Sequence, residues 1–294
     1  LMAEYGISAR LTFSNSLLTR EHLSDVKCNK LCELLNAASE LHSSYKVTDD
    51  YLVTSEYASE DYSIDNSIKD NAFENEINNN QIKDDKIRNE KIKHNKIKNE
   101  NVNVKNGIIV HSDILLDYLK NKYPEFYFVS STTKVLTEFP QLQAELNRDD
   151  FRYVVPDFRL NKAFDKLNTL SQAEKDKVEF LCNECCWAGC RDRKACYETV
   201  SRKNLGENCP EHHCKAPDGS RGYLFSKAME NPGFIGINDI RDIYLPMGFS
   251  NFKIEGRGLG SALILEFLLY YMTKPEYQIH VREKIYLDSM LDLF

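Results

Sequence analysis

Short apolar runs alternate with amphipathic stretches along most of this chain. Seven runs have the length and the β-branched or aromatic content of strands: Ala9–Ser14, Gly107–His111, Phe126–Ser130, Phe151–Val155, Lys177–Asn183, Gly233–Ile237 and Asn251–Glu255. Helical patterns follow most of them, over Thr19–Leu41, Asp113–Lys122, Lys134–Asn147, Asn161–Leu170, Arg193–Lys203, Asn238–Met247 and Gly258–Thr273. Thr19 stands as an N-cap for the first, and Ser112 or Asp113 for the second. Regular alternation of this kind predicts an α/β fold with a parallel sheet covered by helices. Seven βα units predict a (β/α) TIM-type barrel, with an eighth unit lying before Leu1. An open, doubly wound sheet is the alternative. In both folds ligands bind at the C-terminal ends of the strands.

One stretch breaks the pattern. From Ile64 to Asn106 the chain is dominated by Asn, Lys, Ile, Asp and Glu, and Ile82, Ile87, Ile92, Ile97 and Val102 recur every fifth residue. That period fits neither a helix face nor a strand face, so the stretch reads as a solvated, disordered low-complexity insertion. The expected organisation is a first βα part over residues 1–63, the insertion over 64–106, and the rest of the same barrel over 107–294.

Composition narrows the class. A hydrophobic content of 42% in 294 residues supports a globular core, and a net charge of −7 argues against a general nucleic-acid-binding surface. The most apolar run, Ala262–Met272, is too short to span a bilayer and carries Glu266, so no membrane association is expected. The first residues lack a basic region followed by an apolar run. Nine cysteines in a chain of this length do not form the disulfide scaffold of a small secreted domain. A cytoplasmic protein with metal or thiol chemistry is the expectation.

The residues that close the strands would converge on one mouth. They include His111, Ser112, Asp113, Ser131, Asp157, Arg159, Glu184, Cys186, Asn238, Glu255 and Arg257. Helix starts require Ser, Asp and Asn in any case, and capping is the expected role of Ser112, Asp113, Ser131 and Asn238. Glu184, Asp157, Glu255 and Arg257 are the candidate catalytic residues. Carboxylates beside an arginine are costly to hold there unless paired, and such a pair positions a ligand.

Seven of the nine cysteines fall between Cys182 and Cys214. Cys182 lies inside an apolar strand and reads as core, and Cys196 reads as helix packing. Cys185 and Cys186 should point in opposite directions, with Cys186 towards the mouth. The candidate ligands of a metal are Cys186, Cys190, Cys209 and Cys214, with Cys28 as another possible fourth. Four thiolates suit an iron–sulfur cluster. The Cys/His spacings with His212 and His213 suit zinc.

The segment Asp239–Arg257, which ends in Phe252-Lys253-Ile254-Glu255-Gly256-Arg257, is similar to the peptidase U32 family. The run of βα units and the mid-chain cysteines fit the same family, and the resemblance covers most of Ala9–Tyr271 outside the insertion. It differs before the first cysteine, where Asn183-Glu184 replaces a His-Gly pair, and in its cysteine spacings. The resemblance implies a barrel, a [4Fe–4S] cluster, and either oxygen-independent hydroxylation of RNA bases or a quinone precursor, or peptidase activity. The functional expectation is therefore an iron–sulfur barrel protein acting on a small molecule. The alternatives are a zinc-dependent hydrolase with Glu184 as general base, and a non-catalytic protein with a structural metal.

Overall fold

The computed structural model describes residues 7–44, 105–217, 219, 224–256 and 260–291. The chain divides into two compact units, one of residues 8–39 and 105–294, the other of residues 1–7 and 40–104. Nearly all the described residues belong to the first, and the low-complexity stretch from 64 to 104 lies outside them.

Six of the seven expected strands form: β1 (Arg10–Phe13), β2 (Gly107–Val110), β3 (Tyr127–Ser130), β4 (Tyr153–Val154), β5 (Glu179–Leu181) and β6 (Asn251–Lys253). All their pairings are parallel. β1 to β4 lie side by side in chain order, β5 pairs with β6, and a parallel bridge from Val154 to Val178 joins the two groups. The fold is thus α/β with a parallel sheet. The seventh expected strand, Gly233–Ile237, is an extended loop that turns into a helix at Ile237. Ile235 donates its one N–H to the Cys182 carbonyl (3.0 Å), so it rests against the end of β5 without building a ladder.

Period-two alternation divides the sheet into two faces. Ile108, Phe128, Val154 and Phe180 enter the main core beneath the helices. Ile109, Val129, Val155 and Leu181 form a separate apolar cluster on the opposite face, flanked by Tyr127 and Tyr153. On that second face Arg10 of β1 is ion-paired with the buried Glu179 of β5. A flat sheet would hold those strands about 19 Å apart, four strand spacings. The sheet therefore curls around this face. Gly107, paired with both Arg10 and Tyr127, leaves room for the Tyr127 ring, which would lie 2.4 Å from a Cβ placed there.

The helices form where the pattern places them, with shifted ends. Asp113–Lys122 starts on Ser112, whose Oγ accepts from the Leu115 N–H, and buries Leu115, Leu116 and Leu119. The expected helix over Thr19–Leu41 is split into a 3-10 turn, Arg20–Ser24, and an α-helix, Val26–Ser44. Arg193–Asn204 follows β5, and its buried Ser201 accepts the Ser16 N–H and, through its carbonyl, the Asn15 amide. These contacts seat the helix over the C-terminal end of β1. No helix among the described residues is long and apolar enough to cross a membrane.

Candidate functional site

The C-terminal ends of β4 and β5 carry a buried network of charges. Asp157 ends the segment after β4 and is fully buried. Its Oδ1 accepts from the Arg159 backbone N–H (3.1 Å) and Nε (2.6 Å), and its Oδ2 accepts from Arg159 Nη2 (2.9 Å). Asp157 therefore caps the short Phe158–Leu160 turn as well as pairing with a guanidinium. Arg159 passes the link onward by donating Nη1 to the Cys190 carbonyl (2.7 Å).

Glu184 stands just beyond β5. Its Oε1 accepts the backbone N–H of Cys185 (2.9 Å) and of Cys186 (2.8 Å). Its Oε2 accepts from Arg193 Nη2 (2.5 Å), which also donates to the Tyr197 hydroxyl (2.8 Å). Arg193 Nε lies 3.4 Å from Asp157 Oδ2. Arg193 is 3% exposed and joins the two acids. Its carboxylate and tyrosine neighbours raise its pKa despite burial, so it stays a cation. Burial pushes the Tyr197 hydroxyl up and keeps it neutral, with Glu255 and Cys186 among the groups acting on it.

Sequence patterning singled out Asp157, Glu184 and Glu255 but missed Arg193 and Tyr197. These two are four residues apart, one turn, at the start of the helix that follows β5. A helix opening on a basic residue, against the preference for acids there, was the available signal. The Glu255 backbone is clamped to β5: its N–H donates to Asn183 Oδ1 (2.6 Å) and its carbonyl accepts from Asn183 Nδ2 (3.1 Å). Arg257 lies outside the described residues. Ser112 and Ser131 cap as expected. Asn238 does not: the Gly236 N–H is satisfied by Asp239 Oδ2 (3.0 Å), and Asn238 instead accepts from Arg241.

The cysteines divide by position. Cys182 is core, and burial pushes its thiol up to about 12. Cys185 packs in a cluster with Ala228 and Phe267. Cys186 is half-buried, and burial pushes its thiol up to about 11 against the pull of the Arg193 guanidinium. A turn closed by Cys190 N–H to the Trp187 carbonyl (3.0 Å) follows, and Cys190 is half-buried. Gly189 allows that turn, since a Cβ there would meet the Trp187 ring at 2.6 Å. Cys196 is exposed on its helix and does not pack into the core, whereas Arg193 and Ser201 are the helix's buried residues.

Beyond the helix the chain doubles back along it. Arg202–Glu207 (2.9 Å) and Lys203–Glu211 (2.8 Å) tie the first part of the return to the helix C-terminus. Lys215–Asp192 (2.6 Å) ties its end to the residue preceding the helix. Cys209, whose Sγ faces the Thr199 carbonyl at 3.9 Å, thus lies along the far half of the helix, and exposed Cys214 lies near its start. Cys28 stands elsewhere, exposed on the Val26–Ser44 helix, beside a cavity of about 360 Å³ at the end of β1 whose wall includes Phe13, Asn29 and Tyr118.

Thiols suit an iron–sulfur cluster or zinc in kind and in number. Their placement does not match the expected set: Cys209 and Cys28 are apart from Cys186 and Cys190. Among the described residues no three His, Cys, Asp or Glu side chains are gathered to hold a metal ion. Comparisons of the chain with protein-family models, curated proteins and solved structures found no match.

Proposed function

We propose that this chain is a barrel-type α/β protein of the U32 kind that binds a small molecule at the C-terminal ends of its strands, with thiols of the 186–214 segment holding a thiophilic metal centre beside it. The barrel reading is supported by six parallel strands in chain order and by the Arg10–Glu179 contact across the curled face. The site reading rests on one observation, the Asp157–Arg193–Glu184 chain of buried charges. Burying three charges is costly for stability alone, and a buried charge cluster at strand ends is a candidate functional site. Here the network fixes the backbone of Cys185 and Cys186 where parallel α/β proteins bind their ligands.

The same geometry assigns roles. Both oxygens of Glu184 are engaged, one by two backbone N–H groups and the other by a guanidinium. Asp157 is held as fully by Arg159. We assign both as positioning residues, which weighs against a zinc hydrolase with Glu184 as general base. An iron–sulfur cluster, when bound, would supply electron transfer or Lewis-acid chemistry at the mouth. The chain's own part is to orient Cys186 and to keep Tyr197 protonated beside it.

Anaerobic purification of the full chain, followed by iron, acid-labile sulfide and zinc analysis, tests the metal half. Brown protein with iron and sulfide in matching amounts is expected. Protein free of both iron and zinc would overturn it. Glu184→Gln is expected to weaken metal retention, because it loosens the backbone beneath Cys186. Full retention by that variant would show that the charge network does not serve the thiols.

A further inference from the structure

We infer that the cavity of about 360 Å³ at the C-terminal end of β1 is a binding site for an uncharged small molecule with an apolar body and one hydrogen-bond acceptor. This site goes beyond the proposed function. It shares no residue with the Asp157–Arg193–Glu184 network and does not depend on a metal. The Arg193–Asn204 helix reaches both, but Arg193 opens that helix and Asn204 closes it, about 16 Å away at 1.5 Å per residue.

The walls are mostly apolar, with Phe13, Leu23, Leu115, Leu119 and Leu205 among them. The volume lies within the range of about 300–1,000 Å³ for small-molecule pockets. It would hold about a dozen waters, and apolar walls give such waters few partners. The space is built and not a packing gap, because one residue braces three of its sides. Asn29 donates Nδ2 to the Leu23 carbonyl (2.9 Å) and the Asp25 carbonyl (2.8 Å), and its Oδ1 accepts the Tyr118 hydroxyl (2.6 Å). The 3-10 turn, the Val26–Ser44 helix and the Asp113–Lys122 helix are thereby fixed around the cavity.

The polar groups decide what fits. No lysine or arginine lines the cavity, so an anion would find no counter-charge. The one carboxylate, Asp25, stands at the exposed rim and already accepts the Cys28 N–H (2.7 Å). A cation would give up its water for that single solvated group. His22 supplies the directional contact. Its Nδ1 accepts the Thr19 backbone N–H (3.0 Å), which puts the ring proton on Nε2. Nε2 has no hydrogen-bond partner among the described residues, so the wall offers a donor to a carbonyl, ether or hydroxyl oxygen. Two thiols mark the site: exposed Cys28 and buried Cys32, both on its wall.

The test titrates the full chain with prodan, an uncharged naphthalene bearing one ketone oxygen, and with the anionic anilinonaphthalene sulfonate. Blue-shifted prodan emission should saturate at one molecule per chain, with the anion binding more weakly. Bound prodan should slow alkylation of Cys28 by iodoacetamide and leave the exposed Cys196 and Cys214 unaffected, read by mass spectrometry. His22→Phe is expected to weaken binding about threefold to tenfold, the worth of one hydrogen bond. Cys32→Phe, which grows into the cavity, should weaken it about tenfold or more. Circular dichroism checks that both variants fold, and the Cys28 readout on the wild type needs neither. Absence of prodan binding, binding that leaves Cys28 unprotected, tighter binding of the anion, or wild-type affinity in folded His22→Phe or Cys32→Phe would overturn the assignment. None of these results bears on iron or zinc content, so the metal reading stands or falls separately.

Discussion

Arg193 is the residue on which the strand-end site depends. It is almost wholly buried and holds Glu184, Asp157 and Tyr197 at once. Arg193→Met removes the cation and leaves Glu184 without its charged partner. Breaking a buried pair in this way costs about 3–5 kcal/mol. Urea denaturation should show a loss of that size, and a loss below about 1 kcal/mol would mean that water replaces the guanidinium. The thiols make a second test at this scale. Only the thiolate reacts with iodoacetamide. Burial holds Cys32 and Cys186 up to about 11 and Cys182 up to about 12, against an ordinary value of 9.0. At neutral pH, mass spectrometry should find Cys196 and Cys214 labelled first and Cys32 and Cys182 last. The same shifts make stability depend on pH. The fold retains these protons where the unfolded chain releases them, so the stabilisation is complete below about pH 9. It is lost as the pH rises through 11 to 12. Melting temperatures followed from pH 8 upward should begin to fall near pH 9, beyond what lysine and tyrosine titration explains.

At the scale of the element, local rules and tertiary demands separate. The Gln172–Lys177 helix, which the apolar pattern misses, begins on a reciprocal cap. Ser171 accepts the Glu174 N–H (3.3 Å), and Glu174 accepts the Ser171 N–H (2.8 Å). The motif S-x-x-E carries that helix where hydrophobic periodicity is too short to read. The expected helix over Lys134–Asn147 begins only at Phe139. Between them Val135 adopts a left-handed conformation, φ 54° and ψ 55°, to end the Thr132–Lys134 turn. A β-branched residue held there costs about 1–2 kcal/mol. Val135→Gly is expected to raise stability by up to about 1 kcal/mol once its greater freedom when unfolded is counted. A lower denaturation midpoint would show that packing of the half-buried valine outweighs the backbone relief.

Over the whole molecule, a close approach at Asn161 adds to the pairing of β5 with β6 in holding the 233–244 stretch to the sheet. Asn161 is fully buried and donates its amide to the Leu181 carbonyl (2.9 Å) and the Gly233 carbonyl (2.8 Å), while its own carbonyl accepts from Tyr244 (2.6 Å). It draws the Gly233 backbone onto Phe158, where an added Cβ would lie 2.7 Å from the Phe158 carbonyl oxygen. Backbone cannot yield as a side-chain tip does. Gly233→Ala is therefore expected to cost about 1–3 kcal/mol, read as a lower unfolding temperature of the whole cooperative unit. An unchanged transition would mean that the Phe158 backbone yields to the added methyl group.

The order of apolar runs was enough to determine six parallel strands, the alternation of buried and outward residues on them, and the capping by Ser112 and Ser131, because each depends on neighbours a few positions away. It was also enough to place Cys182 in the core, since that cysteine lies inside an apolar run. It did not determine that Gly233–Ile237 stays out of the sheet, because that run is held by an asparagine seventy-two residues away. Nor did it reveal Arg193, whose role exists only once the start of its helix is folded over the ends of β4 and β5. The division of the cysteines belongs to the tertiary structure as well. Cys209 and Cys214 are neighbours in the chain, but ion pairs at opposite ends of one helix hold them at different heights along it. Spacing along the chain says how near two thiols are allowed to be, and only the path of the backbone decides how near they are.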